Sequence, residues 1–168
     1  MIESENWSIR KALISDAHGI ITVHQNAVHR SASPFYDQEI LDEWSPLASL
    51  NRESLLFEKL RDNPEKAFML VIECMGQIAG FGEIVPSLSE LRALYIDPQF
   101  GRRGFGKALL QTLESNAKQQ GLARLSLHSS LNAKEFYLHN GYVVDAEGNH
   151  QLASGKLMPC VFMSKTLT

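Results

Sequence analysis

The chain has 168 residues, 44% of them hydrophobic and 21% charged, which suits a globular protein long enough to bury a core within one domain. A net charge of −3 excludes a general affinity for nucleic acid or an anionic membrane surface. No apolar run approaches the roughly 18 residues that span a bilayer, the start MIESENWSIRK does not read as a secretory leader, and two cysteines, Cys74 and Cys160, are too few for a disulfide framework, so a cytoplasmic setting is expected.

In chain order, Trp7 to Leu13 alternates as a first strand. Ser15 or Asp16 is placed to cap a helix with Ile20, Val23, His24, Ala27 and Val28 on one side, and Ser33-Pro34 stops it. A short helix is expected over Tyr36 to Trp44. Another, capped by Asn51, carries Leu55, Leu56 and Leu60 and closes at Asn63-Pro64. The apolar run Ala67 to Cys74 and the stretch Ile78 to Val85 flank the turn Met75-Gly76-Gln77 and predict a hairpin. A strand over Glu90 to Ile96 follows.

Beyond it lies the turn Gly101-Arg102-Arg103-Gly104-Phe105-Gly106-Lys107. It leads into a helix whose apolar face is Phe105, Leu109, Leu110, Leu113 and Ala117, with Gly121 at its C-terminal end. Arg124 to His128 is strand-like. Asn132, with Glu135 three residues on, predicts a capping box for a short helix that ends at Asn140-Gly141. Tyr142 to Val144 and Leu157 to Lys165 complete the pattern as two last strands. This order predicts an α/β (α+β) fold: a mixed, mostly antiparallel central sheet of about seven strands with helices on both faces.

The glycine turn carries the chemistry. A strand-to-helix junction offers free N–H groups and the positive end of a helix dipole, a site for phosphate, and Arg102, Arg103 and Lys107 add charge. The dinucleotide fingerprint fails because Leu109 stands where its last glycine belongs. The Walker A pattern matches Gly101, Gly106 and Lys107 but has Ala108 in place of the magnesium-binding hydroxyl, which weakens a phosphotransferase reading. An ordinary turn remains the plain alternative.

The whole stretch from Glu90 to Tyr142 resembles the GNAT superfamily of N-acetyltransferases. The matching pieces are the strand LYIDP, the turn RRGFGKALL, the helix ending QQG, and SLNAKEFYLHNGY with its N-x-x-x-F-Y-x-x-x-G-[FY] pattern. One departure stands out: Gly101 occupies the position where the family usually has Gln or Arg, with Arg102 one place late.

The resemblance implies acetyl-CoA as co-substrate and no metal. It places the pyrophosphate on backbone N–H groups from Arg102 to Lys107 (Arg102, Arg103, Gly104, Phe105, Gly106 and Lys107). It places the pantetheine arm along Leu94, Tyr95 and Ile96, with a free N–H of Leu94 or Ile96 stabilising the oxyanion. Asn132 would contact the arm or serve as a plain cap, and Phe136 packs beside it. An alkyl amine, with a pKa of about 10.4, must lose a proton before it attacks. Glu90 is the first candidate base and Glu83 the second; each also reads as an ordinary strand-end carboxylate. Tyr137 is the candidate acid for the leaving thiolate, with simple packing as its alternative. Tyr36 and Trp44 fall in the region that walls the family's acceptor pocket, and their aromatic character suggests a small-molecule amine. The six histidines show no tight metal spacing. A non-catalytic acyl-CoA-binding module is the other class left open, as is the oligomeric state, dimers being common in the family.

Overall fold

The computed structural model describes residues 6–168; the first five, part of the start read above as lacking a leader, lie outside them. Seven strands are β1 (Trp7–Lys11), β2 (Phe68–Cys74), β3 (Gln77–Val85), β4 (Glu90–Ile96), β5 (Arg124–Ser130), β6 (Val143–Gln151) and β7 (Leu157–Thr166). They form one sheet in the order β1-β2-β3-β4-β5-β7-β6, antiparallel throughout except for β4 beside β5. The helices are α1 (Ala17–Asn26), α2 (Gln38–Trp44), α3 (Leu50–Asp62), α4 (Phe105–Gln119) and α5 (Lys134–His139).

Alternation along β2 divides the core between two faces. Leu70, Ile72 and Cys74 pack with Leu109, Leu110 and Leu113 of α4, while Met69 and Val71 pack with Ile20 and Val23 of α1. A third cluster joins the stretch after α1 to α2 and to the β6–β7 hairpin through Val28, Tyr36, Leu41, Leu152 and Met158. Met75 and Gly76, both at positive φ (52° and 76°), make the two-residue turn of the β2–β3 hairpin. Gly121 closes α4 in a left-handed conformation, with Leu122 N–H on Ala117 O and Gly121 N–H on Lys118 O, a Schellman motif.

Several local expectations are corrected. The N-cap of α3 is Ser49, whose hydroxyl accepts from Arg52 N–H; Asn51 lies inside the helix. Neither Ser15 nor Asp16 caps α1 by its side chain. Asp16 instead turns back to Leu13 N–H and to both terminal nitrogens of Arg10. No capping box forms at α5: Ala133 is its N-cap, and Leu131–Ala133 make a 3₁₀ turn ahead of it. Leu55 is exposed rather than packed with Leu56 and Leu60. The end of α1 widens into a π turn over Ala27–Ser31, a form that often accompanies a functional site.

Candidate active site

β4 and β5 pair only at Glu90 and Ser126 and then diverge. A bulge helps: Glu83 faces Ala93 and Ile84 faces Leu91, so Arg92 is an extra residue on β4. Asp97 N–H donates to Ala79 O, on the β3 side. Since backbone groups alternate along a strand, Tyr95 N–H also faces β3, and the Leu94 and Ile96 N–H groups face the gap. The gap is a cavity of about 320 Å³, lined by β4 from Glu90 to Tyr95 and by His128, Ser130, Tyr137 and Cys160, with Trp44 above.

The glycine turn follows β4 by one 3₁₀ turn. Asp97, almost fully buried, caps that turn through Gln99 N–H and accepts from the Asn26 amide at 2.7 Å. Arg102 (φ 61°) and Gly104 (φ 79°) are both left-handed, which swings the chain into α4. Gly104 is the N-cap and supplies no side chain, and the first turn holds no acidic residue. The positive end of a 15-residue helix is thus left uncompensated. A Cβ at Gly106 would lie 3.3 Å from the Phe136 ring and 3.6 Å from Ile96, so α4, β4 and α5 meet where only hydrogen fits comfortably. The Arg103 guanidinium lies 5.5 Å above the Phe100 ring.

On α5, Tyr137 is buried at the wall of the cleft, and burial, with the nearby Tyr95 phenol second, raises its pKa well above the usual tyrosine range. Its hydroxyl is therefore held protonated. Asn132, one residue before Ala133 on the cleft wall, keeps a buried Oδ1 with no hydrogen-bond partner among the described residues. Such an atom is costly unless a ligand meets it. Tyr95 is partly buried between the two faces, and burial raises its pKa to about 12 against a hydrogen bond with Trp44.

A second cavity, of about 280 Å³, lies across β4 from the first, between the sheet and helices α1 and α3. Arg92, Ala93 and Tyr95 line both. The second holds Glu83, whose side chain is 4% exposed and sits 2.7 Å from Lys59 Nζ. It also holds His24 and Arg52. Arg52 Nη2 donates to His24 Nδ1 at 2.8 Å, with Ser45 Oγ 2.9 Å from the same nitrogen. The imidazole therefore carries its proton on Nε2. Burial, then the charges of Arg52 and His29, lowers its pKa to about 3.

The candidate bases are thus separated. Glu83 lines the second cavity; Glu90 lines the first at its closed end, paired with Arg92 at 3.3 Å. Trp44 lines the first cavity, but the Tyr36 hydroxyl is committed internally, donating to Pro159 O at 2.6 Å and accepting from Leu131 N–H at 2.8 Å. Among the described residues no three metal-ligating side chains cluster, and no helix is long and apolar enough to cross a membrane. The sequence reading did not single out His24 as more than a core position, nor Arg52, Lys59 and Arg92 at all. No spacing signal joins them, because they meet only through packing of α1 and α3 on the sheet.

The comparisons with known proteins agree with this geometry. Residues 32–167 match the acetyltransferase (GNAT) domain. The chain is 30% identical over 152 residues to a spermidine N(1)-acetyltransferase of Thermoplasma acidophilum, covering 84% of this chain and 91% of that protein. A GCN5-related N-acetyltransferase from Rhodopseudomonas palustris superposes with a TM-score of 0.84 at 23% identity, over 99% of both chains. The PaiA N-acetyltransferase of Thermoplasma acidophilum, solved with coenzyme A, gives a TM-score of 0.76 at 21% identity, over 96% of this chain and 99% of that one.

Proposed function

The chain belongs to the GNAT superfamily and is an acetyl-CoA-dependent N-acetyltransferase; on that premise we propose that it acetylates a primary amine of a small molecule by direct attack in a ternary complex. The observation that carries this is the junction of two features: the unpaired edge of β4 and the uncapped N-terminus of α4 that follows it. One suits an amide-rich arm, the other a pyrophosphate. The partnerless Oδ1 of Asn132 fits the same occupant.

Acetyl-CoA supplies the activated acyl group. In this reading the N–H of Leu94 or Ile96 faces the carbonyl oxygen where negative charge develops. Tyr137, kept protonated by burial, donates its O–H to the departing sulfur as negative charge develops there, and the thiolate, with a pKa of about 8.5, takes up its proton through that hydrogen bond or from solvent. The amine enters from the second cavity, where Glu83 is the one carboxylate on the wall, and Glu83 takes its proton directly or through a water. The two cavities on either side of β4, sharing Tyr95, support separate entry of the two substrates. The test is release of free thiol from acetyl-CoA across a panel of primary amines. Dependence on amine, with mass gain of one acetyl group on the acceptor, supports the reading; coenzyme binding without release from any amine would sink it.

A further inference from the structure

The charges around the second cavity say what kind of amine it admits. Lys59 is matched by Glu83 at 2.7 Å, and Arg92 by Glu65 at 2.6 Å and Glu90 at 3.3 Å. Arg52 has no such match. Its guanidinium, half-buried against the cavity, bonds only neutral acceptors: His24 Nδ1, the Pro46 carbonyl and, more weakly, Ser45 Oγ. Burial is what acts on its acidity, and no carboxylate among the described residues bonds it or pairs with it. His24 cannot neutralise it, being an acceptor at Nδ1. A guanidinium has five N–H donors in a planar fork; here two make good bonds, two share the Ser45 hydroxyl at a long 3.5 Å, and Nε–H meets no acceptor among the described residues.

A half-buried charge held by neutral partners is a poor arrangement unless an anion completes it. We infer that the acceptor is a small amine that also carries an oxyanion, a carboxylate or phosphate, bound by Arg52 in the cavity between α1, α3 and the sheet. This rests on the acetyltransferase reading above and narrows it. A free polyamine fits badly. It would bring further positive charge beside Arg52, and Glu83, the only carboxylate on the wall among the described residues, is already paired with Lys59. The cavity of about 280 Å³ suits a small metabolite.

Matched pairs test the inference: ω-amino acids of increasing length against their primary amides, and O-phosphoethanolamine against ethanolamine, with spermidine alongside. Binding is read by calorimetry with coenzyme A present, and turnover by thiol release. The oxyanion member of at least one pair should bind on the order of tenfold or more tightly than its neutral twin, as a charge-assisted hydrogen-bond pair would give. Arg52→Gln should erase that ratio and Arg52→Lys keep part of it. The wild-type ratio decides even if a variant fails to fold. Equal binding within every pair, no binding by any oxyanion member, a ratio that survives in Arg52→Gln, or tighter binding of spermidine would overturn the inference. The carboxylate and phosphate arms separate the two sources of the oxyanion. Thiol release reads the underlying activity apart from this. Oxyanion binding with no release from any amine counts against acetyl transfer alone, and spermidine turnover without discrimination counts against the oxyanion alone.

Discussion

Lys59 reaches across from α3 to sit 2.7 Å from Glu83 on β3, so the carboxylate that lines the second cavity has a cation beside it. A base in that position accepts a proton on an oxygen lone pair that Lys59 does not occupy, directly or through a water. Glu83→Gln should therefore lower kcat by about 10²-fold or more, within the usual range for a positioned base. Glu90→Gln, at the closed end of the other cavity, should change kcat by less than about threefold. Steady-state kinetics on the two variants with one acceptor decide between them, and the reverse pattern would move the role to Glu90.

Tyr137→Phe removes one hydroxyl from a buried ring and leaves its packing with Tyr142 and Phe136 intact. If the phenol protonates the thiolate, kcat should fall by about tenfold or more while KM for acetyl-CoA stays within about twofold. An unchanged kcat would assign Tyr137 to packing.

The left-handed N-cap makes a clean test of the glycine turn. A Cβ at Gly104 meets nothing within 4 Å, so Gly104→Ala acts only through backbone strain, of about 1 kcal/mol at its φ of 79°. The expected result is a KM for acetyl-CoA raised about fivefold with kcat nearly unchanged. Arg102→Ala should weaken coenzyme A more than Arg103→Ala, because the Arg103 guanidinium already stacks on Phe100. Calorimetric titration with coenzyme A measures both.

Tyr36→Phe should cost stability rather than substrate affinity. It deletes two internal hydrogen bonds, to Pro159 O and from Leu131 N–H, leaving two backbone groups unmet. A loss of about 1–3 kcal/mol is expected by urea unfolding, with KM for the acceptor within about twofold.

His24 should make stability pH-dependent. Its folded pKa is pushed down to about 3, first by burial, so the unfolded chain takes up the proton near 6.5 and the folded chain does not. Stability from this group is full above the unfolded value and is lost as pH falls from about 6.5 toward 3. The slope approaches about 1.4 kcal/mol per pH unit at its steepest. His24→Gln should flatten that part of the curve in urea unfolding at several pH values. Asp16 contributes in a lower window. Burial opposes its ionisation, but the Arg10 hydrogen bonds, the Leu13 amide and the Arg10 charge together hold its pKa below the ordinary range, so its contribution fades only in stronger acid.

Much of the fold was legible because local rules and tertiary packing agree along most of the chain. The apolar period of Phe105, Leu109, Leu113 and Ala117 is the buried face of α4, and Met75-Gly76 is the turn it was read as. The caps were harder. Ser49 and Asn51 are both acceptable N-cap residues two positions apart, and only the path of the chain after Pro46 chooses between them. At Asn132 the spacing to Glu135 suggested a capping box, yet the 3₁₀ turn that includes it takes the Asn side chain out of capping position and leaves its Oδ1 buried without a partner among the described residues.

The sequence alone marked out the cofactor half of the proposed site. Its parts, from Leu94 through the glycine turn to Tyr137, follow one another along a strand, a turn and two helix starts, and contiguous chain keeps their order and spacing visible. The proposed acceptor half takes shape only in three dimensions. Arg52 reaches His24 across 28 positions of sequence, and Lys59 reaches Glu83 across 24. Such charges have no periodic pattern to betray them. Their meeting depends on how α1 and α3 pack on the sheet, and their pairing, with Arg52 the cation of that cavity that meets no carboxylate among the described residues, emerges only once every neighbour is in place.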